Sequence, residues 1–316
     1  MKHLFIVNPT AGGKDHSSEI RARVEKAFSK RGGDYEVYVT KAPMDAPGKI
    51  KAAAEAEEHL RVYACGGDGT FNECVCGAAE LPNVAVCPFP TGTGNDFCRM
   101  FGEEKDLFRD LDAVIDGGEV PIDLIDCNGR YSANICSVGI DARIGTSVHK
   151  YSKLPIIGGA GGYVVSLIVN VLKGINSHMR VRCGDFISDG KHALVCACNG
   201  RYYGGGFNPS LDARPDDGLL DFFIVKGVSL LKLAGLVGKY AAGKSDEYPQ
   251  YITHLRGREI EIDFDEENVI NVDGEALFSN SVRMKLLPKA LRLIVPAGMR
   301  FFGNVSSAIK TPAMAE

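Results

Sequence analysis

The sequence predicts two domains of different texture: an N-terminal α/β domain with a mostly parallel sheet over residues 1–122, and a β-rich, sandwich-like domain over residues 123–289. Three observations predict it. Strand and helix patterns alternate through roughly the first 120 residues, which favours layered α/β architecture. After Gly117-Gly118 the pattern changes to short strands separated by turn residues. With 316 residues, 45% of them apolar and 24% charged, the chain is long enough to bury a core in each part.

In the first part, residues 2–7 read as a strand. Ile20, Val24, Ala27 and Phe28 recur at helical spacing, and Gly32-Gly33 stops that helix. Residues 35–40 form the next strand and 46–59 an Ala/Glu/Lys-rich helix. Apolar runs at 60–65 and 84–89 each read as a buried strand followed by a stretch that can start a helix. In the second part, strands are expected at residues 122–127, 131–138, 179–183, 192–197, 219–225, 259–264, 269–272 and 282–286. Helices are expected at 163–173 and 229–242, and a last strand at 291–295.

The richest signal is a pair of glycine-rich strand exits about one βα unit apart, Gly66-Gly67-Asp68-Gly69-Thr70 and Thr91-Gly92-Thr93-Gly94-Asn95-Asp96. Glycines there permit positive φ and let backbone N–H groups approach an anion, and the following helix N-terminus adds positive potential. A third loop, Asn8-Pro9-Thr10-Ala11-Gly12-Gly13-Lys14, follows the first strand. It lacks P-loop spacing, with Asp15 in place of the hydroxyl residue, and no G-x-G-x-x-G dinucleotide pattern occurs. Together the loops predict a nucleoside triphosphate site of another kind. Thr40 ends its strand at the same sheet edge, where α/β folds collect ligands; a Thr satisfying a local turn is the structural alternative.

Composition narrows the function. A net charge of −4 gives no support for nucleic-acid binding. The ten cysteines fall mostly in apolar strands and form no C-x-x-C pair, so reduced thiols are expected rather than disulfides. Cys74 and Cys76 read as core residues before zinc ligands. The first strand is too short for a signal sequence, which predicts a cytoplasmic protein. Residues 154–172 approach membrane-span length but hold Gly158, Gly159, Gly161 and Gly162, so a glycine loop and a helix are expected there.

The motifs Asn8-Pro9-x-x-Gly12, Gly66-Gly67-Asp68-Gly69-Thr70 with Asn72-Glu73, Pro90-x-Gly92-Thr93-Gly94-Asn95-Asp96, Asp216-Asp217-Gly218-Leu219-Leu220-Asp221 and Val272-Asp273-Gly274-Glu275 together resemble the diacylglycerol kinase catalytic-domain family. The series runs through nearly the whole chain. The Gly66 to Thr70 loop alone is shared with NAD kinases and phosphofructokinases; the full series is far more specific.

The resemblance implies an ATP-dependent lipid kinase that uses Mg²⁺, with an active site in the cleft between two domains and residues 290–316 returning to the first. It implies ATP contacts from Asn8, Pro9, Thr10, Ala11, Gly12, Thr40, Gly66, Gly67, Asp68, Gly69, Thr70, Phe71, Asn72 and Thr93, with Asn95 either on the nucleotide or bracing the loop. An N-cap role for Asn95 is the structural alternative. Asp68 is the natural carboxylate to reach Mg²⁺, directly or through water; bracing the turn is its other reading. A second, structural Mg²⁺ is implied at Asp217 with the carbonyls of Arg214 and Leu219, where residues alone would indicate a turn. Glu275 is implied as the proton acceptor, with Asp273 its supporting or metal-linked partner; on residues alone this Asp-Gly is a hairpin.

The expected acceptor is a lipid alcohol, diacylglycerol first, with transient contact at the inner face of the membrane. Lys226, Lys232, Lys239 and Lys244 either meet anionic headgroups or form the solvated side of a helix. Tyr202 and Tyr203 read equally as packing or ligand residues. A soluble-substrate kinase of NAD kinase type and a non-catalytic binding protein are the competing functions. A homodimer is compatible with the sequence.

Overall fold

A computed structural model describes residues 1–91, 94–152 and 174–303. The chain divides into two compact units, Met1–Ile122 with the segment from Lys289 onward, and Asp123–Pro288.

The first unit is built on a parallel sheet. Strand β1 (Lys2–Val7) pairs with β2 (Asp34–Val39) on one side and β3 (Leu60–Gly66) on the other. β3 pairs in turn with β4 (Val84–Pro90), and Arg292 and Leu293 add a further parallel strand beside Ala85 and Val86. β3 and β4 are buried at every position, as parallel strands covered on both faces must be. Helix α1 (Ser17–Arg31) buries Ile20, Val24 and Phe28, the spacing that marks it in the sequence. Helices α2 (Ala46–Ala56) and α3 (Asp68–Ala78) pack closely: a Cβ on Gly77 would stand 2.8 Å from the Pro47 Cα. Two short helices follow, α4 (Asp96–Arg99) and α5 (Leu111–Ile115). The buried Arg61 guanidinium donates to the carbonyls of Ile115 (2.7 Å) and Gly117 (2.8 Å), so its charge is held by hydrogen bonds rather than left in apolar surroundings.

The second unit is antiparallel. In it β5 (Gly118–Cys127) ends and pairs with β6 (Arg130–Ser132), while β7 (Ile135–Gly139) lies between two long strands. Those are β9 (Phe186–Cys198) and β12 (Glu259–Val272). Strand β8 (Ser177–Cys183) also bridges β9 and β12 at their other ends. β10 (Leu220–Lys226) pairs with β9 and with β11 (Ile252–Gly257), and β13 (Glu275–Val295) returns along β12. The strands enclose a core that includes Val138, Val195, Phe222, Ile262, Ile270 and Met284. Helix α6 (Ile140–Ser152) follows β7, and α7 (Leu230–Ala241) follows β10.

Several sequence expectations need correction. The strand expected at 131–138 is two, β6 and β7, parted at Ala133 and Asn134. The runs at 259–264 and 269–272 are one strand, because β12 continues through a bulge between Asp263 and Asn268 that breaks the alternation. The runs at 282–286 and 291–295 likewise belong to the single 21-residue β13. Helix α6 and strand β11 escaped the sequence reading, as Gly139 just before the first and Gly145 within it hide the helix, and polar residues interrupt the second. The loop and helix expected within 154–173 lie outside the described residues.

Candidate functional site

Parallel pairing places four chain exits at one edge of the first sheet. The Asn8 amide donates to Cys65 O (3.1 Å), Thr40 N to Val7 O (2.9 Å), and Thr91 N to Gly66 O (2.9 Å). The register therefore runs unbroken to the last residue of each strand, and the loops begin side by side.

Side chains then lock the loops together. Asn8 Nδ2 donates to Thr70 Oγ1 at 3.0 Å, while Asn8 Oδ1 accepts from both the amide (3.0 Å) and hydroxyl (2.9 Å) of Thr10. Asn8 thus joins the first loop to the first turn of α3. Thr40 Oγ1 donates to Val7 O at 3.3 Å, which is the local-turn role. Asp68 Oδ1 accepts the Asp96 amide at 2.7 Å, tying the loop after β3 to the loop after β4. Asp68 therefore braces the loops, and the same carboxylate stands at their meeting point. Pro9, Thr10, Ala11 and Gly12 form the turn after β1, with Gly12 at φ 68° and Ala11 N bonded to Asn8 O (3.3 Å).

The glycines serve space more than left-handed backbone. A Cβ on Gly66 would collide with Thr70, and one on Gly94 would stand 2.7 Å from Asp68 Oδ2. Gly67 caps α3 in extended backbone, φ −103°, and a Cβ there would meet nothing within 4 Å. Open space before a helix N-terminus, whose first amides lack intrahelical partners, suits an anion. A shallow, open depression lies here, lined by Gly66, Gly67, Asp68, Pro90 and Asn95 among others. The residues present fit a polyphosphate. They also fit Mg²⁺ bound beside it, since one carboxylate with water completing the shell is that ion's habit.

Asn95 corrects one alternative: it takes a left-handed backbone, φ 53°, and its side chain does not cap α4. Asn72 is 1% exposed, and the Phe71 ring meets that of Phe97 at 4.7 Å with a 39° tilt, so Phe71 positions α3 against α4. Asp96, whose motif position alone gave it no assigned role, is buried and pairs with Arg99 at 3.1 Å. Gly92 and Thr93 lie outside the described residues.

In the second unit Asp273 and Gly274 form a two-residue hairpin turn with φ of 50° and 97°, as Asp-Gly predicts. Asp273 does more than turn the chain. Its Oδ1 accepts from Ser132 Oγ (2.6 Å) and Ile135 N (2.8 Å), and its Oδ2 from Ala133 N (3.0 Å). Gly274 N donates to Asn271 Oδ1 at 2.8 Å. Glu275, next in the hairpin, is exposed. A fixed carboxylate and a solvent-facing one thus sit two residues apart.

The Asp217 turn is separate. Asp217 Oδ1 accepts from Leu219 N (3.0 Å), and Oδ2 takes Arg256 Nη2 at 2.6 Å. Arg214 pairs with Asp216 at 2.9 Å, and buried Asp123 accepts from Gly218 N at 2.8 Å. One carboxylate with main-chain carbonyls is a donor set Mg²⁺ accepts, though here a guanidinium shares the carboxylate. No cluster of three His, Cys, Asp or Glu side chains suited to a metal occurs among the described residues. Tyr203 packs: its hydroxyl donates to Asp141 Oδ2 (3.2 Å) and meets the Tyr240 hydroxyl (3.4 Å). Burial pushes the Asp141 carboxyl up to about 6.

Comparison with known proteins identifies relatives of both units. Residues 2–127 match the family described as "Diacylglycerol kinase catalytic domain", and residues 134–295 the "YegS C-terminal NAD kinase beta sandwich-like domain". A Staphylococcus epidermidis protein named "Diacylglycerol kinase" is 30% identical over 275 residues, covering 86% of this chain and 84% of its own. The Shewanella frigidimarina "Probable lipid kinase YegS-like" is 28% identical over 291 residues, covering 90% and 92%. A crystal structure of a candidate diacylglycerol kinase from Bacillus anthracis str. Sterne superposes with a TM-score of 0.72 at 27% identity, covering 94% of this chain and 97% of that one.

Proposed function

Because the chain belongs to the diacylglycerol kinase catalytic-domain family, we propose that it transfers the γ-phosphate of ATP to a lipid hydroxyl, diacylglycerol being the leading acceptor and phosphatidic acid the product. The observation that carries this reading is the convergence of the Asn8, Thr40, Gly66 and Thr91 exits on one sheet edge, with Asp68 joining two of the loops.

In the proposed reaction the acceptor oxygen attacks the γ-phosphorus, the bond to the β-phosphate oxygen breaks, and ADP leaves. The hydroxyl proton passes to the Glu275 carboxylate, which is exposed and able to receive it. Asp273 is the positioning residue, since its three accepted hydrogen bonds fix the hairpin that carries Glu275. Backbone amides of the Gly66 to Thr70 loop and the α3 N-terminus hold the phosphate oxygens. Mg²⁺ beside Asp68 supplies charge neutralisation at the β- and γ-phosphates when bound. A structural Mg²⁺ at Asp217, with the carbonyls of Arg214 and Leu219, belongs to the same proposal, as does an active site between the two units.

The acceptor being a lipid, the protein works in the cytoplasm and visits the inner face of the membrane. No helix among the described residues is long and apolar enough to cross a membrane. Labelled γ-phosphate transfer, with diacylglycerol, sphingosine, phosphatidylglycerol and NAD as acceptors, tests the reading. Label in NAD would favour a soluble-substrate kinase, and label nowhere a binding protein. Glu275→Gln should keep ATP affinity and lower kcat by at least about 10²-fold; near-normal turnover removes Glu275 from the mechanism.

A further inference from the structure

Helix α7 (Leu230–Ala241) is apolar on the side where a surface helix should be polar. Its inner face is ordinary: Leu236 and Tyr240 are buried, and Leu233 packs against Ile140, Ile144 and Ile175. Its outer face carries Leu231, 87% exposed, with Leu230 at 52% and Val237 at 39%. Ala234, Gly235 and Gly238, spaced three, four and seven residues after Leu231, complete that face and are exposed too. No charged residue interrupts it. Isolated exposed leucines are common, but several on one helix face mark an interaction site.

Charge identifies the partner. Residues 226–244 contain four lysines and no acidic residue, in a chain whose net charge is −4. Lys232 and Lys239 stand on the flank of the apolar face at helical spacing, and Lys226 precedes the helix. Lys232 Nζ sits 4.8 Å over the Tyr251 ring. Acidic residues resume only at Asp246 and Glu247, beyond the helix, where Glu247 takes Lys244 at 3.7 Å. An apolar strip bordered by lysines is the pattern of a helix lying in an interface with an anionic bilayer.

We propose that α7 is a membrane-docking helix, inserting Leu230, Leu231 and Val237 among the acyl chains of an anionic lipid surface while Lys226, Lys232 and Lys239 meet the headgroups. The inference rests on the lipid-kinase reading for its purpose and adds the surface by which the protein reaches its substrate.

Flotation of the full-length protein with phosphatidylcholine vesicles, with and without phosphatidylglycerol, tests it. The wild type should bind the anionic vesicles and release them in high salt. L230Q/L231Q should weaken binding at least about tenfold, and K232Q or K239Q about fivefold each. Leu231→Gln alone, at so exposed a position, covers the case in which the double variant fails to fold. Transfer to a short-chain diacylglycerol dispersed in detergent should be unchanged in these variants. Equal vesicle binding by wild type and Leu231→Gln overturns the assignment, as does no binding by the wild type. So does a concentration-dependent dimer abolished by Leu231→Gln without vesicle binding, which would make the face a self-association surface. Vesicle binding lost on mutation, with no lipid phosphorylated by any form, would keep the surface and reject the kinase reading.

Discussion

The Asp68 loop and the Asp273 hairpin both place an aspartate beside glycine at a strand end, yet they are built on opposite principles. In the first unit, parallel strands send every exit to one edge, so Asn8, Thr40, Gly66 and Thr91 meet by topology. There the loops hold one another, Asp68 through the Asp96 amide and Asn8 through Thr70. In the second unit antiparallel strands scatter their turns. The hairpin at Asp273 is held by a carboxylate bonded into the turn between β6 and β7, with the Asn271 side chain taking the Gly274 amide. A parallel sheet gathers ligand groups as a consequence of its connectivity; an antiparallel one needs a dedicated residue to fix each.

The largest expected effect tests that dependence. Asp273→Ala strands one hydroxyl and two amides, and should cost about 3 kcal/mol of stability by urea unfolding. Glu275→Gln, two residues away and exposed, should stay within about 0.5 kcal/mol of wild type. Equal losses at the two positions would break the contrast between a fixed and a working carboxylate.

A smaller effect sharpens the first unit. Gly67→Ala finds open space and an ordinary φ, so the fold should keep its melting temperature. The added methyl would nonetheless stand where the proposed site puts the phosphate oxygens, and ATP affinity by calorimetry should fall about tenfold. Unchanged affinity would move the nucleotide away from the α3 N-terminus.

The least pronounced contrast is in pH response. His3, buried in the first unit beside Tyr63 (2.8 Å), is held down to about 4 by burial, with the Arg61 charge adding to it. Unfolded, it takes a proton near 6.5, so its stabilising contribution is intact above that pH and is lost as pH falls toward about 4. His254 in the second unit is raised above its ordinary value, first by its hydrogen bond to Asp221 at 2.7 Å. Its contribution is full below about 6.5 and is lost as pH rises through the folded value. Imidazole NMR titration should find the two on opposite sides of that figure; two ordinary titrations would refute both environments.

Much of this was legible in residues alone. Buried apolar runs ending in glycine announce parallel strands and their exits, because a strand covered on both faces has no polar alternation and the loop after it must admit a ligand. Asp-Gly at Asp273 announces the hairpin equally well. What local pattern conveyed poorly was continuity: the bulge in β12 divided one strand into two, and Gly139 hid the start of α6. The reason for the glycines also differed, since Gly66 makes room for Thr70 four residues on, and Gly94 for Asp68, which is its neighbour only in space.

By itself the sequence determined the strand–helix alternation of the first unit, the glycine loops and the family motifs, for these depend on neighbours along the chain. Only the tertiary structure decided that Asp68 joins two loops, that Asp273 is committed to hydrogen bonds while Glu275 faces solvent, and that α7 turns leucines outward. Hydrogen bonding and burial are set by what packs from distant parts of the chain, and no local window contains that information.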